Sequence, residues 1–347
     1  MKKKYYITTP IYYPSAKPHM GHAYSSISAD FIARYKRLEG YNVMFVTGTD
    51  EHGQKIQKSA DKRKLSPDIF CNEISKVFLD LTKTLNLSNT DFIRTTEIRH
   101  HKTVQKLWKI LEEKKFIYLS KYSGWYSVSD EAFYTESEII EKDNIKLCEA
   151  SGSVVEWVEE ESYFFKLSEF QNLLIKHYED NPEFIQPSSR RNEVMSFVKG
   201  GLNDLSVSRN SFKWGISVPN SKDHIVYVWL DALTNYLTAT NYFDENFSWP
   251  ADVHIIGKDI LRFHAVYWPA FLLAAEIPLP KTIFGHGWIL SGDEKMSKSK
   301  GNILDPIEVV NEFGLDEIRY YLMKEVMYGL DGNINIDNLK NCINSDL

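Results

Sequence analysis

The sequence predicts an α/β protein in which one parallel sheet is split by a long insertion. Three observations point there. A strand, loop, helix and strand follow one another at the N-terminus, the same alternation resumes at Asp252, and the stretch between has a different pattern. Strands joined through a helix pair in parallel, because a crossover is needed to bring the chain back to the same end of a sheet.

Residues 4–10, "KYYITTP", read as a buried strand, and the loop "PSAKPHMGH" follows it. Ile27, Phe31, Tyr35 and Leu38 then recur at helical spacing through "SSISADFIARYKRLEG", with Gly40 as the stop. "YNVMFVTGT" at 41–49 is a second strand. Downstream, "DVHIIGKD" (252–259) reads as a strand, 260–276 as an almost wholly apolar and therefore buried helix, and "KTIFGHGWIL" as another strand. From about Phe116 to Pro219 short β-like pieces such as "FIYLSKYSGWYSVS" and "SVVEWVE" alternate with helical stretches. The segment from Pro306 onward is helical, with Val309, Val310, Phe313, Ile318, Tyr321 and Leu322 as its apolar positions.

The composition is that of a soluble globular chain: 347 residues, 43% hydrophobic, 14% aromatic and 25% charged. A formal charge of −6 means that any polyanion must be met by local basic surface rather than by a bulk field. No apolar run is long enough for a membrane span, and "MKKKYYITTP" is not followed by a signal-peptide core. A reducing cytoplasm is the expected location. Cys71, Cys148 and Cys342 are too few and too scattered for a disulfide framework or a four-cysteine zinc site.

Two loops carry chemistry. "PHMGH" at 18–22 sits between the first strand and its helix, where unpaired backbone N–H groups favour anions. Gly21 permits close backbone approach, and His19 and His22 can donate to phosphate oxygens. "GDEKMSKSKGN" at 292–302 places lysines among small residues, which suits either a solvated surface loop or a clamp on a polyanion. Each is weak alone. Together they follow the first and last strands of a split sheet, at the ends where such sheets bind ligands.

With HMGH followed by KMSKS, the chain resembles the class I aminoacyl-tRNA synthetases, which use a Rossmann-type fold interrupted by a connective insertion. "TTPIYYPSAKPHMGH", "FVTGTDEHGQKI", "VYVWLDALTNY", "HIIGKDILRFHAVYWPA" and "KMSKSKGN", in this order, resemble the methionyl-tRNA synthetases in particular. The resemblance implies a catalytic domain in two halves (1–115 and 223–290), an insertion with a knob (116–222), and a KMSKS loop opening a stem-contact helical region (291–347). It also implies ATP-dependent activation of L-methionine, with Mg2+, and transfer to tRNA(Met). The methionine pocket then falls on Ile11, Tyr13, Asp50, Trp229, Ala232, Leu233, Tyr236, Ile260 and His264, and the ATP site on His19, Gly21, His22, Gly257, Asp259, Ile289, Lys295 and Lys298. The implied catalytic set is His19, His22, Lys295 and Lys298. Aromatic walls suit a polarizable thioether, to which Tyr13 and His264 could offer a weak polar contact, while Asp50 suits the substrate ammonium.

Two departures modify these expectations. Many relatives hold zinc on paired C-x-x-C segments, but here "WYSVSDEAFY" has Ser127 and Asp130 at one pair, and "KLCEASGS" keeps only Cys148 of the other. One thiol cannot build a structural zinc site, so the knob is expected to be metal-free and held by Trp125, Tyr126, Phe133, Tyr134 and hairpin bonding. The family continues into a helical anticodon-binding domain, which nothing after Asp337 is expected to supply. The alternatives are a synthetase for leucine, valine or isoleucine, for which the interval Asp50 to Lys258 is short, another adenylate-forming nucleotidyltransferase, or a non-enzymatic paralogue.

Overall fold

The computed structural model describes residues 3–245, 248–291, 294–295 and 304–347. Its centre is a six-stranded, wholly parallel sheet built from β1 (Lys4–Tyr12), β2 (Asn42–Thr49), β3 (Asp91–Arg94), β9 (Ile185–Gln186), β13 (Val253–Gly257) and β14 (Ile283–His286). The order is β3-β2-β1-β13-β14-β9. β1 is central, so Tyr6 to Pro10 are buried without alternation and Ile7 pairs with both Phe45 and Val253. Gly48 is needed in β2 because a Cβ there would lie 2.0 Å from the Ile93 carbonyl oxygen.

Helix α1 (Met20–Leu38) joins β1 to β2. Its expected apolar stripe is only partly right. Ile27 is buried, but Phe31, Tyr35 and Leu38 are 56%, 53% and 87% exposed. The buried face carries Ala23, Ser26, Ala29 and Ala33, small side chains that let the helix lie close on the sheet. Helices α2 (Gln54–Lys62), α3 (Pro67–Thr84) and α4 (Ile98–Glu113) complete the first half.

The apolar helix expected over 260–276 forms as one largely buried helical run that ends at Ala274 and contains a π-helical turn. A 3-10 turn at Lys258–Ile260 leads into a π-helical turn at Phe263–Tyr267, and α9 spans Trp268–Ala274. Pro269 has no N–H to offer the Ala265 carbonyl one turn back, and that oxygen accepts from the Tyr178 hydroxyl instead (2.5 Å). The strand expected over 281–290 also divides. Past Gly287, where a Cβ would sit 2.2 Å from the Leu330 carbonyl carbon, the chain leaves the large sheet. It continues as β15 (Ile289–Ser291), which pairs with β16 (Glu294–Lys295) and with β17 (Gly332–Ile334).

Within 116–222, β4 (Ile117–Ser127) and β8 (Glu156–Phe165) form a long antiparallel pair flanked by β5 (Ala132–Tyr134) and β10 (Leu205–Ser206). A hairpin of β6 (Ile139–Lys142) and β7 (Ile145–Cys148) turns through Asp143 and Asn144, both at positive φ, as a tight two-residue turn requires. The same interval supplies β9, the edge strand of the large sheet, between α5 (Gln171–Asp180) and α6 (Ser188–Lys199). A short pair, β11 (Ser208–Arg209) with β12 (Ile225–Val226), leads to α7 (Val228–Leu233) and α8 (Asn235–Ala239). The C-terminal α10 (Pro306–Phe313), α11 (Leu315–Glu325) and α12 (Ile336–Asp346) pack Ile318, Leu322 and Leu339 in one apolar cluster with Met20, Ala23 and Ile27 of α1.

Candidate functional site

A cavity of about 1030 Å3 opens at the carboxyl ends of β1, β2, β13 and β14. At one end stands the N-terminus of α1. His19 is its N-cap, and its Nδ1 accepts from the Gly21 N–H (3.1 Å) while the His19 N–H donates to Nδ1 of His22 (3.0 Å). A ring nitrogen that accepts from an N–H bears no proton, so a neutral ring carries its proton on Nε2. Burial, and then the neighbouring His19, hold the His22 pKa well below the ordinary value. His22 is therefore a neutral, pre-aimed N–H donor rather than a cation. The two rings lie 3.9 Å apart, and a Cβ on Gly21 would press on His19 at 2.9 Å.

Gly257 ends β13 at this same side, where a Cβ would sit 2.6 Å from Oδ1 of Asp259. His286 ends β14, donates from Nδ1 to the Gly287 carbonyl (2.7 Å) and accepts at Nε2 from the Ser25 hydroxyl (2.7 Å), which ties α1 to the far strand. Ile289 lines the cavity next to it.

The other end is closed by Asp50, after β2, and by side chains of α7, α8 and the π-helical turn. Asp50 is 6% exposed and its Oδ1 has no hydrogen-bond partner. Burial, and then the carboxylates of Asp231 and Glu131, push its pKa well up, against the His52 N–H. Such a group calls for a cation. Trp229 stacks flat on Phe263 at 3.7 Å and 4°. His264 donates from Nδ1 to the Ile260 carbonyl (3.0 Å) and accepts at Nε2 from the Tyr236 hydroxyl (2.7 Å), and burial brings its pKa down to about 4. The Tyr13 hydroxyl donates to the His52 carbonyl (2.7 Å). Both ring nitrogens of His264 and the Tyr13 proton are thus engaged within the protein.

Ile11, Tyr13, His19, Gly21, His22, Asp50, Trp229, Ala232, Leu233, Tyr236, Gly257, Asp259, Ile260, His264 and Ile289 all line this one cavity. Lys295 lies in β16 opposite Leu290, and Lys298 lies outside the described residues. Among the lining side chains that sequence reading missed are His286, Trp288 and Glu131. His286 had a signal, a histidine between two glycines at a strand end; Trp288, two residues on, had none. Glu131 comes from the insertion and had none either. Its carboxylate accepts from the Lys55 N–H (2.8 Å), from Tyr13 (3.1 Å) and from Tyr126. Behind the pocket, buried Asp231 accepts from His52 and His100, each at 2.7 Å, and its carboxyl is held down to about 2: burial alone would raise it, and the two imidazoles outweigh that.

The family of class I tRNA synthetases (M) matches residues 5–347. The methionine--tRNA ligase of Rickettsia conorii is 56% identical over all of this chain, which spans 68% of that relative's length. The methionine--tRNA ligase of Rhizobium meliloti is 54% identical over 99% of the chain and 67% of its own length. Among solved structures, the Mycobacterium tuberculosis methionyl-tRNA synthetase in complex with methionyl-adenylate superimposes with a TM-score of 0.98 at 51% identity, covering 99% of this chain and 69% of that one. A parallel sheet, a histidine-capped helix end and a buried carboxylate with one unpartnered oxygen in one cavity are thus found in a chain that belongs to the class I tRNA synthetases, in their methionyl branch, as their catalytic core.

Proposed function

We propose that the two ends of the cavity divide the work of a methionine--tRNA ligase: the HMGH end receives ATP and the Asp50 end receives L-methionine. The observation that carries this is the placement of a buried carboxylate with one unpartnered oxygen and a histidine-capped helix N-terminus in one cavity. The methionine carboxylate attacks the α-phosphorus of ATP, pyrophosphate departs, and methionyl-adenylate forms. The methionyl group then passes to the terminal adenosine of tRNA(Met).

The chain holds and aligns in this scheme; it supplies no nucleophile. Asp50 takes the substrate ammonium, Trp229, Tyr236 and His264 enclose the thioether, and Ala232, Leu233, Ile11 and Ile260 complete the apolar wall. Gly257 leaves room for the nucleotide and Asp259 accepts from ribose hydroxyls. His19 and His22 donate to phosphate oxygens, with Lys295 and Lys298 as the cations on the departing pyrophosphate. Mg2+ arrives on the ATP phosphates and adds neutralising charge there. The division of the chain at 115, 222 and 290 and a cytoplasmic location complete this reading. Among the described residues, no helix is long and apolar enough to cross a membrane.

The knob is read as metal-free. Asp130 accepts from the hydroxyls of Tyr134 (2.8 Å), Ser151 (2.6 Å) and Ser153 (2.7 Å), and its N–H donates to Ser127 Oγ (3.3 Å). Hydrogen bonds thus tie together positions at which relatives would place thiolates.

Exchange of pyrophosphate with ATP across the twenty amino acids tests the assignment. Methionine alone supports exchange, and Lys298→Ala keeps methionine affinity while slowing adenylate formation by about 10²–10³. Exchange driven by another amino acid, or equal pre-steady-state rates for the two proteins, would refute it.

A further inference from the structure

Asp259 is not positioned by its own turn alone. Its Oδ1 accepts from the indole N–H of Trp288 (3.3 Å), a residue on the separate chain segment between β14 and β15. Trp288 is in turn fixed from two directions. The Lys258 ammonium stands over its ring at 4.1 Å. Its backbone N–H donates to Oδ1 of Asp331 (2.8 Å), while Oδ2 of Asp331 pairs with Lys258 (2.7 Å). The Trp288 carbonyl accepts from the Gly332 N–H (2.8 Å), and from there β15 runs parallel to β17 with Ile289 opposite Gly332. The two backbones touch at Gly287 and Leu330, which leaves no space for a Cβ. A carboxylate, a ring, an ammonium and a second carboxylate thus form a closed loop between the turn after β13 and the segment before β17.

We propose that Lys258, Trp288 and Asp331 are positioning residues for ATP: they hold Asp259 and the Ile289 backbone in register for the nucleoside, and so make nucleotide affinity depend on the segment that joins α11 to β17. The inference rests on the reading of Asp259 and Ile289 as nucleotide contacts. None of the three residues needs to touch the reacting atoms. Among the described residues, Asp50 and the π-helical turn make no hydrogen bond to the side chains of Lys258, Trp288 or Asp331.

Kinetics of methionine-dependent pyrophosphate exchange, with calorimetric binding of a non-hydrolysable ATP analogue, test it. Trp288→Leu removes both the N–H donor and the stacked ring, and Asp331→Asn weakens the hold on Lys258 while keeping the shape. Each is expected to raise the ATP KM and the analogue Kd by about tenfold, the size expected for one or two lost hydrogen bonds, with the methionine KM unchanged. Trp288→Phe keeps the ring under Lys258 and falls between. The double variant is no worse than Trp288→Leu, because both act through one loop. Unchanged ATP affinity, equal losses for both substrates, or strictly additive effects would overturn the proposal. Asp259→Ala separates the two layers. If it weakens ATP binding while Trp288→Leu does not, only the positioning role is lost; if it leaves ATP binding intact, the nucleotide assignment itself is wrong. Asp331 and Trp288 are not core residues, and thermal melts of all variants check that the fold is retained.

Discussion

Asp50 concentrates the tension between stability and activity in one side chain. Its carboxyl is buried near Glu131, Glu51 and Asp231 and has an oxygen without a partner, so ionising it is unfavourable unless a cation such as an ammonium comes beside it. Asp50→Asn should therefore raise the methionine KM by about 10- to 100-fold while the ligand-free protein melts no lower than the parent. Exchange kinetics and thermal melts read the two effects, and a lower melting temperature would contradict the account. Histidines give a second prediction. Burial lowers the pKa of His22, His254 and His286, and of His264 to about 4. The folded protein then binds fewer protons than the unfolded chain below the ordinary histidine value of about 6.5. Their contribution to stability is complete above that pH and is lost as the pH falls through the folded values. Asp50, with its raised pKa, has the opposite sign: its share is present at low pH and lost as the pH rises. The histidines outnumber it, so urea midpoints should decline between pH 7 and 5. A flat profile would show that these rings are not held neutral.

At the scale of elements, hydrogen bonds and ring contacts within the knob support the proposal that it is metal-free. Asp130 joins the turn after β4 to the turn after β7, and Trp125 packs edge-on to Trp157 at 5.1 Å. Behind it, the Arg209 guanidinium lies over the rings of Phe133 (4.1 Å) and Tyr227 (4.7 Å), which fastens the insertion to the strand leading into α7. Purified protein is expected to carry no stoichiometric zinc by elemental analysis, and Asp130→Ala should speed amide exchange through β6 and β7 at a local loss of about 1–3 kcal/mol. Tightly bound zinc at one per chain would overturn this. The elements also show what periodicity cannot reveal. A helix with large residues on one face and alanine and serine on the other reads as buried on the large side, yet α1 needs the small side to approach the sheet. The missing N–H at Pro269 was legible as a proline in a helical run, but the Tyr178 hydroxyl that takes over the freed carbonyl comes from another element.

Over the whole molecule, Asp30 joins the two ends of the fold. It is fully buried and accepts from Arg34 (2.7 Å), from the Ser88 N–H (2.7 Å) and hydroxyl (2.6 Å), and from Arg319 of α11 (2.6 Å). Arg319→Ala removes one of the two cations on that carboxylate, while Arg34 and Ser88 remain, at a cost of about 1–3 kcal/mol. The expected result is faster hydrogen exchange in α10 to α12 than in the sheet, together with slower adenylate formation, because β15 and β17 lose their anchorage; uniform destabilisation with normal kinetics would contradict it.

The sequence by itself determined the parallel α/β plan and the HMGH loop between β1 and α1, because these are written within a few residues of one another as turn, cap and strand signals, whereas the residues proposed for the two half-sites were named through the resemblance to the family. Only the tertiary structure decided which face of α1 is buried, that Glu131 from the insertion stands beside Asp50, that His22 and His264 are neutral, and that Trp288 reaches Asp259. Burial and charge depend on neighbours supplied by strand order, and strand order is settled by packing across the whole chain.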